Sequence, residues 1–514
     1  MFRASAPVTG PAFHDRRREL QALSDAFAAL SQGAPRWLAV LGPRKIGKTS
    51  LILEAARQSS HTRIVIVDAL ELAPLTPELF RVLTLRAVDA LLGSNLGTSL
   101  VALAREPEAY QAKLAESDVI AALPAELRRE LSRLPHLSAD SDAVPRWLQL
   151  PEDLCLATHQ QLVVAIDEVQ EVVALVSKTF EPFAVMRAVW QRHTRVGYVI
   201  SGSSPSVLRE LVTARHSPFF QHFQLLEMVP FDKEDAITLL TSLAPPDRPI
   251  ERVIAERIFE IVGGHPFYLQ IVGETLVGTE PPYDDAALKA ALQSLLFSRM
   301  GRLALYFENQ YRQAVGQAST LASTLDALAQ HAGARLTDVA RLISASPASA
   351  ARYLDRLGDL VVREDDGRFR VSDALFEKWV RWRAPGGTVV PMTVVGDEAE
   401  IAVARTIASN GFELVYQSRA SRGAFDLLAL RGPVQLGLQV KRCKLPLRFK
   451  KTEWNRMKAD ARRWGWLWAI VAVDQSGKVE VLDPAKAKSG REIRLDDASV
   501  IDNLLGWIEQ AQPG

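Results

Sequence analysis

Cysteine is almost absent: Cys155 and Cys443 are the only two in 514 residues. They lie far apart and lack metal-ligand spacing, which argues against a disulfide scaffold or a zinc site and for a reducing compartment. Met1 to Glu19 contains no apolar stretch of the secretory kind, and no later apolar run approaches the length of a membrane span. The expectation is a cytoplasmic protein without a membrane partner. Charge of one sign is also missing, since 61 Lys and Arg face 60 Asp and Glu, leaving a formal +1. No whole-molecule field draws this chain to nucleic acid, so any such surface must come from local clustering. The remaining composition, 48% hydrophobic and 24% charged, is that of a globular chain, with length for about three domains.

The most informative stretch is Gly42-Pro43-Arg44-Lys45-Ile46-Gly47-Lys48-Thr49. It follows the apolar run Trp37 to Leu41 and opens a helical pattern from Ser50 to Arg57. A strand, a glycine-bounded loop and a helix form the setting of a phosphate-binding P-loop. Backbone N–H groups wrap the polyphosphate, and the helix N-terminus faces the same anion. Gly42 to Ser50 are therefore the expected nucleotide contacts. Lys48 reaches the β- and γ-phosphates of ATP, and the Thr49 hydroxyl holds Mg²⁺.

Around this loop the chain reads as an α/β core. Phe13 to Leu30 has helical spacing, and Arg63 to Asp68 suits a buried parallel strand. Residues from about 74 to 158 read as a helical insertion without a nameable motif. Leu162 to Ile166 is a second buried strand ending in Asp167-Glu168, as in a Walker B element. Asp167 would hold the Mg²⁺ shell and Glu168 would orient or activate water. Val196 to Ile200 runs into Ser201-Gly202-Ser203-Ser204, which offers Ser203 to the γ-phosphate or, alternatively, an N-cap to the next helix. Helices from Asp232 to Val277 break at Gly263-Gly264-His265-Pro266, either a nucleotide lid or an ordinary turn.

The order Phe13-His14-Asp15-Arg16 with Glu19-Leu20, the P-loop, Ile166-Asp167-Glu168-Val169-Gln170, Ser201 to Ser204 and Gly263 to Pro266 resembles the archaeal-type ATPases. These belong to the AAA+/STAND group, and the resemblance implies ATP binding and hydrolysis over roughly residues 10 to 280. Phe219-Phe220-Gln221-His222 stands where that family often carries a Gly-Arg pair, so an arginine finger acting across a subunit boundary is not expected from this stretch.

Thr324 to Trp382 carries a winged-helix pattern. Leu336 to Ser344 is one short helix, and Pro347 to about Leu357 is a second, capped by Ser346. Two strands follow, joined at Asp366-Gly367. The second helix would present Ser349, Arg352 and Arg356, but also Asp355, and Arg363, Arg368 and Arg370 of the wing would reach DNA backbone phosphates. The alternative is a module that relays the state of the ATPase. Ala384 to Gly387 reads as a linker.

The last segment holds a second set of acids. Helical phase puts Glu400 on the apolar side of a helix and Glu398 on its outer side. Asp426 leads into the strand Leu427 to Leu430, and the next strand carries Gln439 and Lys441 on one face. Glu400, Asp426 and Gln439 are oxygen ligands suited to Mg²⁺ or Mn²⁺, with Lys441 beside the attacking or leaving oxygen. Gly396 to Glu400, Arg422 to Asp426 and Gln439-Val440-Lys441 resemble the PD-(D/E)XK nucleases of the Holliday-junction-resolvase and Mrr types. The resemblance implies metal-dependent DNA cleavage over about residues 394 to 475. Gln439 departs from the acid usual at that position. Lys441 to Lys444 and Arg448 to Lys451 form a basic run. Trp454, Trp464, Trp466 and Trp468 suit core packing better than base stacking.

The expected architecture is α/β throughout. Residues 1–290 form a P-loop NTPase core with helical insertion and helical lid, 291–387 a winged-helix module and linker, and 388–514 a restriction-endonuclease-like domain. The expected function is ATP binding and hydrolysis coupled to a metal-dependent endonuclease acting on double-stranded or branched DNA, in DNA processing, repair or defence, with homo-oligomers left open. The competing expectation is an ATP-dependent switch that binds DNA or a protein without cutting.

Overall fold

In the computed structural model of the protein, the described residues are 2–59, 62–72, 74–96, 99–136, 141–297, 301–382, 403, 406–407, 412, 414–417, 425–431, 434–474 and 478–511. They divide into two compact units. One comprises Met1–Pro245 with Gly264–Ile271, the other Pro246–Gly263 with Val272–Gly514.

The first unit is built on five parallel strands: β1 (Trp37–Leu41), β2 (Arg63–Asp68), β3 (Leu162–Asp167), β4 (Val196–Gly202) and β5 (Phe223–Glu227). Their spatial order is β2-β3-β4-β1-β5. The near-continuous apolar runs follow from burial of both faces. Leu38, Val40, Val163 and Ala165 pack with Leu23, Phe27 and Leu30 of the helix Arg17–Ser31 and with Ile52 of the helix Lys48–Gln58. Trp37, Ala39, Leu41, Val164 and Ile166 point the other way, into a larger core. That core also contains Leu83, Val88 and Leu91 of the helix Glu78–Leu96 and Trp147 and Leu154 of the helix Val144–Thr158. The helical segment expected as an insertion is therefore one of the two layers covering the sheet.

The first helix starts at Arg17, four residues later than its spacing suggests. Asp15 and Arg16 both have left-handed backbone, with φ of 54° and 66°, and Arg16 stands at the N-cap. A helix cannot run through that bend.

In the second unit, the helices Ser319–Gln330, Leu336–Leu342, Pro347–Leu357 and Ala374–Trp382 accompany a small antiparallel sheet of β6 (Ala334–Arg335), β7 (Val361–Arg363) and β8 (Arg368–Val371). The Ser346 hydroxyl accepts from the Ser349 amide at 3.2 Å, capping the helix from Pro347. Farther on lies a mixed sheet of order β14-β13-β11-β10-β9: β9 (Leu414–Gln417), β10 (Leu427–Arg431), β11 (Val434–Lys441), β13 (Leu467–Val473) and β14 (Val479–Leu482). The strands β11 and β13 are parallel and the other neighbours antiparallel. A three-stranded sheet joins β12 (Leu447–Phe449), β15 (Lys488–Ser489) and β16 (Ile493–Leu495). The helix Lys451–Trp464 follows β12. Leu436 and Leu438 of β11 face a core with Val403, Ile407 and Val471. The strand period of two turns Gln439 and Lys441 to the opposite face.

Candidate functional site

The loop after β1 has the backbone an anion cradle needs. Gly47, at φ 103°, caps the helix Lys48–Gln58. Lys45 also has left-handed backbone, φ 63°, a strained conformation of the kind functional loops retain. The Lys48 ammonium donates to the carbonyls of Gly42 at 2.9 Å and Pro43 at 3.0 Å. Burial draws its pKa below the ordinary lysine range, with Glu168 and Asp167 acting in the opposite direction. This cation is poised to exchange carbonyl partners for phosphate oxygens.

The acids at the end of β3 lie beside it. The Thr49 hydroxyl donates to Asp167 Oδ2 at 2.5 Å, and the Ser201 hydroxyl donates to Asp167 Oδ1 at 2.7 Å. Glu168, at φ 52°, leaves the strand with left-handed backbone. Its Oε2 accepts from the Ser203 amide at 3.0 Å, the Ser203 hydroxyl at 2.7 Å and the Gln170 amide at 2.6 Å. Burial pushes the Glu168 carboxyl up, but these hydrogen bonds and the Lys48 charge outweigh it and hold the pKa below the usual range. Ser203 thus bonds Glu168, and Ser204 makes no side-chain cap for the helix Pro205–Thr213.

These groups line a cleft of about 290 Å³ that includes Gly47, Lys48, Thr49, Ser50, Asp167 and Glu168. Several of its walls escaped the sequence reading. Asp68 ends β2 in register with Asp167; burial and the two neighbouring acids raise its carboxyl. Its signal, an acid closing an apolar strand, was the one that revealed Asp167. Residues 3–8 also border the cleft. The Val8 amide donates to Ser50 Oγ at 3.0 Å, and the Gly10 amide donates to Glu54 Oε2 at 2.7 Å. That strap has no hydrophobic period to announce it. Arg16 is buried, donating to the Val229 carbonyl at 2.7 Å with its guanidinium 4.4 Å from the Phe231 ring centre. Phe267, at the start of the helix Pro266–Val277, stacks under the Lys45 ammonium at 4.0 Å. His265, within the break from Gly263 to Pro266, is buried and stacked on Tyr268.

The second set of acids lies in the other unit. Asp426 Oδ2 accepts from the Val440 amide at 2.8 Å and from the Gln439 amide at 2.5 Å. Burial raises the Asp426 carboxyl despite these bonds and the Lys441 charge. Lys441 Nζ donates to Glu453 Oε1 at 2.7 Å. Glu453 went unread because it stands on the following helix, with no motif spacing to link it to β11. Glu398 and Glu400 lie outside the described residues. Trp454 is buried between Phe449 and Trp468, with ring centres at 5.5 and 4.9 Å, so packing is its role.

The basic surfaces differ from one another. On the β7–β8 hairpin, Arg368 pairs with Asp366 at 3.0 Å and Arg370 with Glu364 at 2.9 Å. Their charge is largely neutralised in place. Lys444, Arg448, Lys450 and Lys451 are all exposed, and Arg448 has Glu492 at 4.0 Å.

A model of the ATPase domain predominantly from Archaea matches residues 13–272. A Walker-type ATPase of Pyrococcus abyssi matches in structure with a TM-score of 0.51 at 17% identity, over 72% of this chain and 96% of that one. The ORC2 protein of Aeropyrum pernix, in ADPNP and ADP complexes, matches with a TM-score of 0.46 at 14% identity, over 73% of this chain and 95% of that one. The Holliday junction resolvase Hjc of Archaeoglobus fulgidus matches with a TM-score of 0.19 at 17% identity, over 20% of this chain and 88% of that one. At these identities the first likeness is one of fold, and the other two carry no argument. No curated protein matches the chain. Among the described residues no helix is long and apolar enough to cross a membrane.

Proposed function

Since the chain belongs to the family of ATPase domains predominantly from Archaea, we propose that it couples ATP binding and hydrolysis to a metal-dependent DNA endonuclease in its C-terminal part. The residues of the cleft fit a nucleotide with Mg²⁺. The loop's N–H groups and Lys48 suit the β- and γ-phosphates, and the hydroxyl of Thr49 together with Asp167 suits the metal. Bound Mg²⁺ supplies charge neutralisation on the phosphates. Glu168, held ionised by Ser203 and Gln170, is the group that orients or activates water. The observation that carries the hydrolase half is the bond between Thr49 and Asp167, which joins the P-loop to the strand-end acid.

The nuclease half rests on the contact of Asp426 with Gln439 and the Val440 amide, one residue before Lys441. Asp426 and Gln439 offer oxygen donors suited to Mg²⁺ or Mn²⁺. Lys441 steadies the phosphate or water. The exposed cations from Lys444 to Lys451 offer a DNA backbone its counter-charge. The winged-helix reading of Thr324 to Trp382 is supported by its capped second helix and hairpin. The ion pairs on that hairpin favour a relay over a phosphate-binding wing. They also keep alive the second reading, an ATP-dependent switch that binds without cutting. The test is cleavage of linear, single-stranded and branched DNA with and without ATP and Mn²⁺. Metal-dependent product that disappears in Lys441→Ala supports the nuclease; nucleotide-dependent binding without product supports the switch.

A further inference from the structure

Gln439 leaves the proposed nuclease site with a neutral side chain where the resembled enzymes carry an acid. The face of β11 that holds it also holds Lys441, and Lys441 contacts a carboxylate that no motif supplies. Glu453 sits in the first turn of the helix Lys451–Trp464. Its Oε1 accepts from Lys441 Nζ at 2.7 Å. Two pairs thus lie along one face of β11: Asp426 with Gln439 by a hydrogen bond, and Lys441, on the same face as Gln439, with Glu453 by an ion pair. The helix that carries Glu453 is fixed at that end by Trp454, which is buried against Phe449 and Trp468. Both partners of the ion pair stay partly open, Lys441 at 34% and Glu453 at 41% side-chain exposure. A divalent cation and a phosphate can therefore compete for them.

We propose that Glu453 is the second carboxylate of this site, standing in for the acid absent at Gln439 and binding the divalent cation together with Asp426. The inference rests on the nuclease reading for its biological sense, but its chemistry is separable. Two carboxylates and one amide oxygen make a hard-cation donor set, which Asp426 and Gln439 alone do not. Drawing Glu453 to a metal releases Lys441, whose ammonium is then available to a phosphate oxygen.

The test is a Mn²⁺ titration of the full chain without nucleotide, read by the loss of the free-ion paramagnetic resonance signal. Asp426→Asn and Glu453→Gln should each weaken binding by about tenfold or more, a loss typical for groups that support a metal. The double variant Glu453→Gln with Gln439→Glu should recover most of the affinity, because it returns the acid to the strand. Wild-type affinity in Glu453→Gln beside a loss in Asp426→Asn overturns the proposal. So does a folded double variant that stays weak, since the acid at 439 then fails to substitute. DNA cleavage read in parallel separates the two claims. Glu453-dependent Mn²⁺ binding without any cleavage sustains the inference and removes the nuclease reading. Cleavage by Glu453→Gln at the wild-type rate and metal dependence removes the inference and sustains the reading.

Discussion

At the P-loop, residues 42–50 supply the anion cradle from one continuous stretch, and two strand ends add the acids beside it. At the C-terminal sheet, Asp426, Gln439, Lys441 and Glu453 arrive from β10's entry, β11 and the following helix. The first cluster is framed largely by backbone, whose N–H directions are set by φ and ψ. The second is made of side chains, whose positions are set by packing between distant segments. A backbone-built site tolerates many neighbours, because its geometry is local. A side-chain-built site can move an acid from strand to helix without losing its charge balance, as proposed for Gln439 and Glu453.

The comparison breaks most sharply at Lys48 and Asp426. Lys48→Ala removes the buried ammonium now held by the Gly42 and Pro43 carbonyls. ATP turnover, followed by phosphate release, should fall by at least about 100-fold, since one preorganised charge contact at a reacting group is worth that much. The expected effect on metal-dependent cleavage without ATP is small, because Lys441 belongs to the other unit. Equal loss of both activities would mean that the two sites are not separate. Asp426→Ala is the converse. Cleavage should drop by about 100-fold or more while ATP turnover is retained, because the carboxylate that accepts from Gln439 and Val440 is the centre of that cluster. A wild-type cleavage rate in this variant removes the C-terminal site.

Legibility in the sequence followed the same division. Four of the five strands, β1 to β4, with Lys48, Thr49 and Asp167, were readable because apolar run, glycine loop and strand-end acid are all local signals, whereas the edge strand β5 went unread. Asp68 carried the same signal as Asp167 and passed unread because nothing in the sequence says that β2 lies next to β3. The helices of residues 78–158 were readable as helices, but not as the second layer of the core, since their burial is decided by Trp37 and the strands they cover. The strap at residues 3–10 and Glu453 are pure tertiary facts. The turn at Gly263-Gly264 was legible as a break, whereas its closeness was not. A Cβ on Gly264 would fall 1.8 Å from the Phe231 carbonyl oxygen, and the Phe231 amide donates to the Gly264 carbonyl at 2.9 Å. Gly264→Ala should therefore cost about 2 kcal/mol through overpacking. The first transition of a thermal melt should fall by roughly 4–8 °C. An unchanged melt would show that the segment yields freely and that the contact fixes nothing.

The smallest expected effect sharpens how the first site is tuned. Glu168 has its pKa pushed up by burial and brought below the ordinary range mainly by Gln170 and Ser203, and these bonds favour the charged form. Ser203→Ala deletes one of them, the 2.7 Å bond from the hydroxyl, and leaves the 3.0 Å bond from the backbone amide. The sign follows directly: with less stabilisation of the anion, the Glu168 pKa rises. A base that must be ionised then loses activity at a higher pH when the solution is acidified. The acid limb of the ATP turnover profile should move up by about half a pH unit to one unit, the size of a single hydrogen bond to a carboxylate. The plateau near neutral pH should change much less, because Glu168 remains ionised there. A lower plateau with an unmoved acid limb would instead assign Ser203 to direct contact with the nucleotide, and Glu168 would then owe its low pKa to Gln170, the Ser203 backbone amide and Lys48.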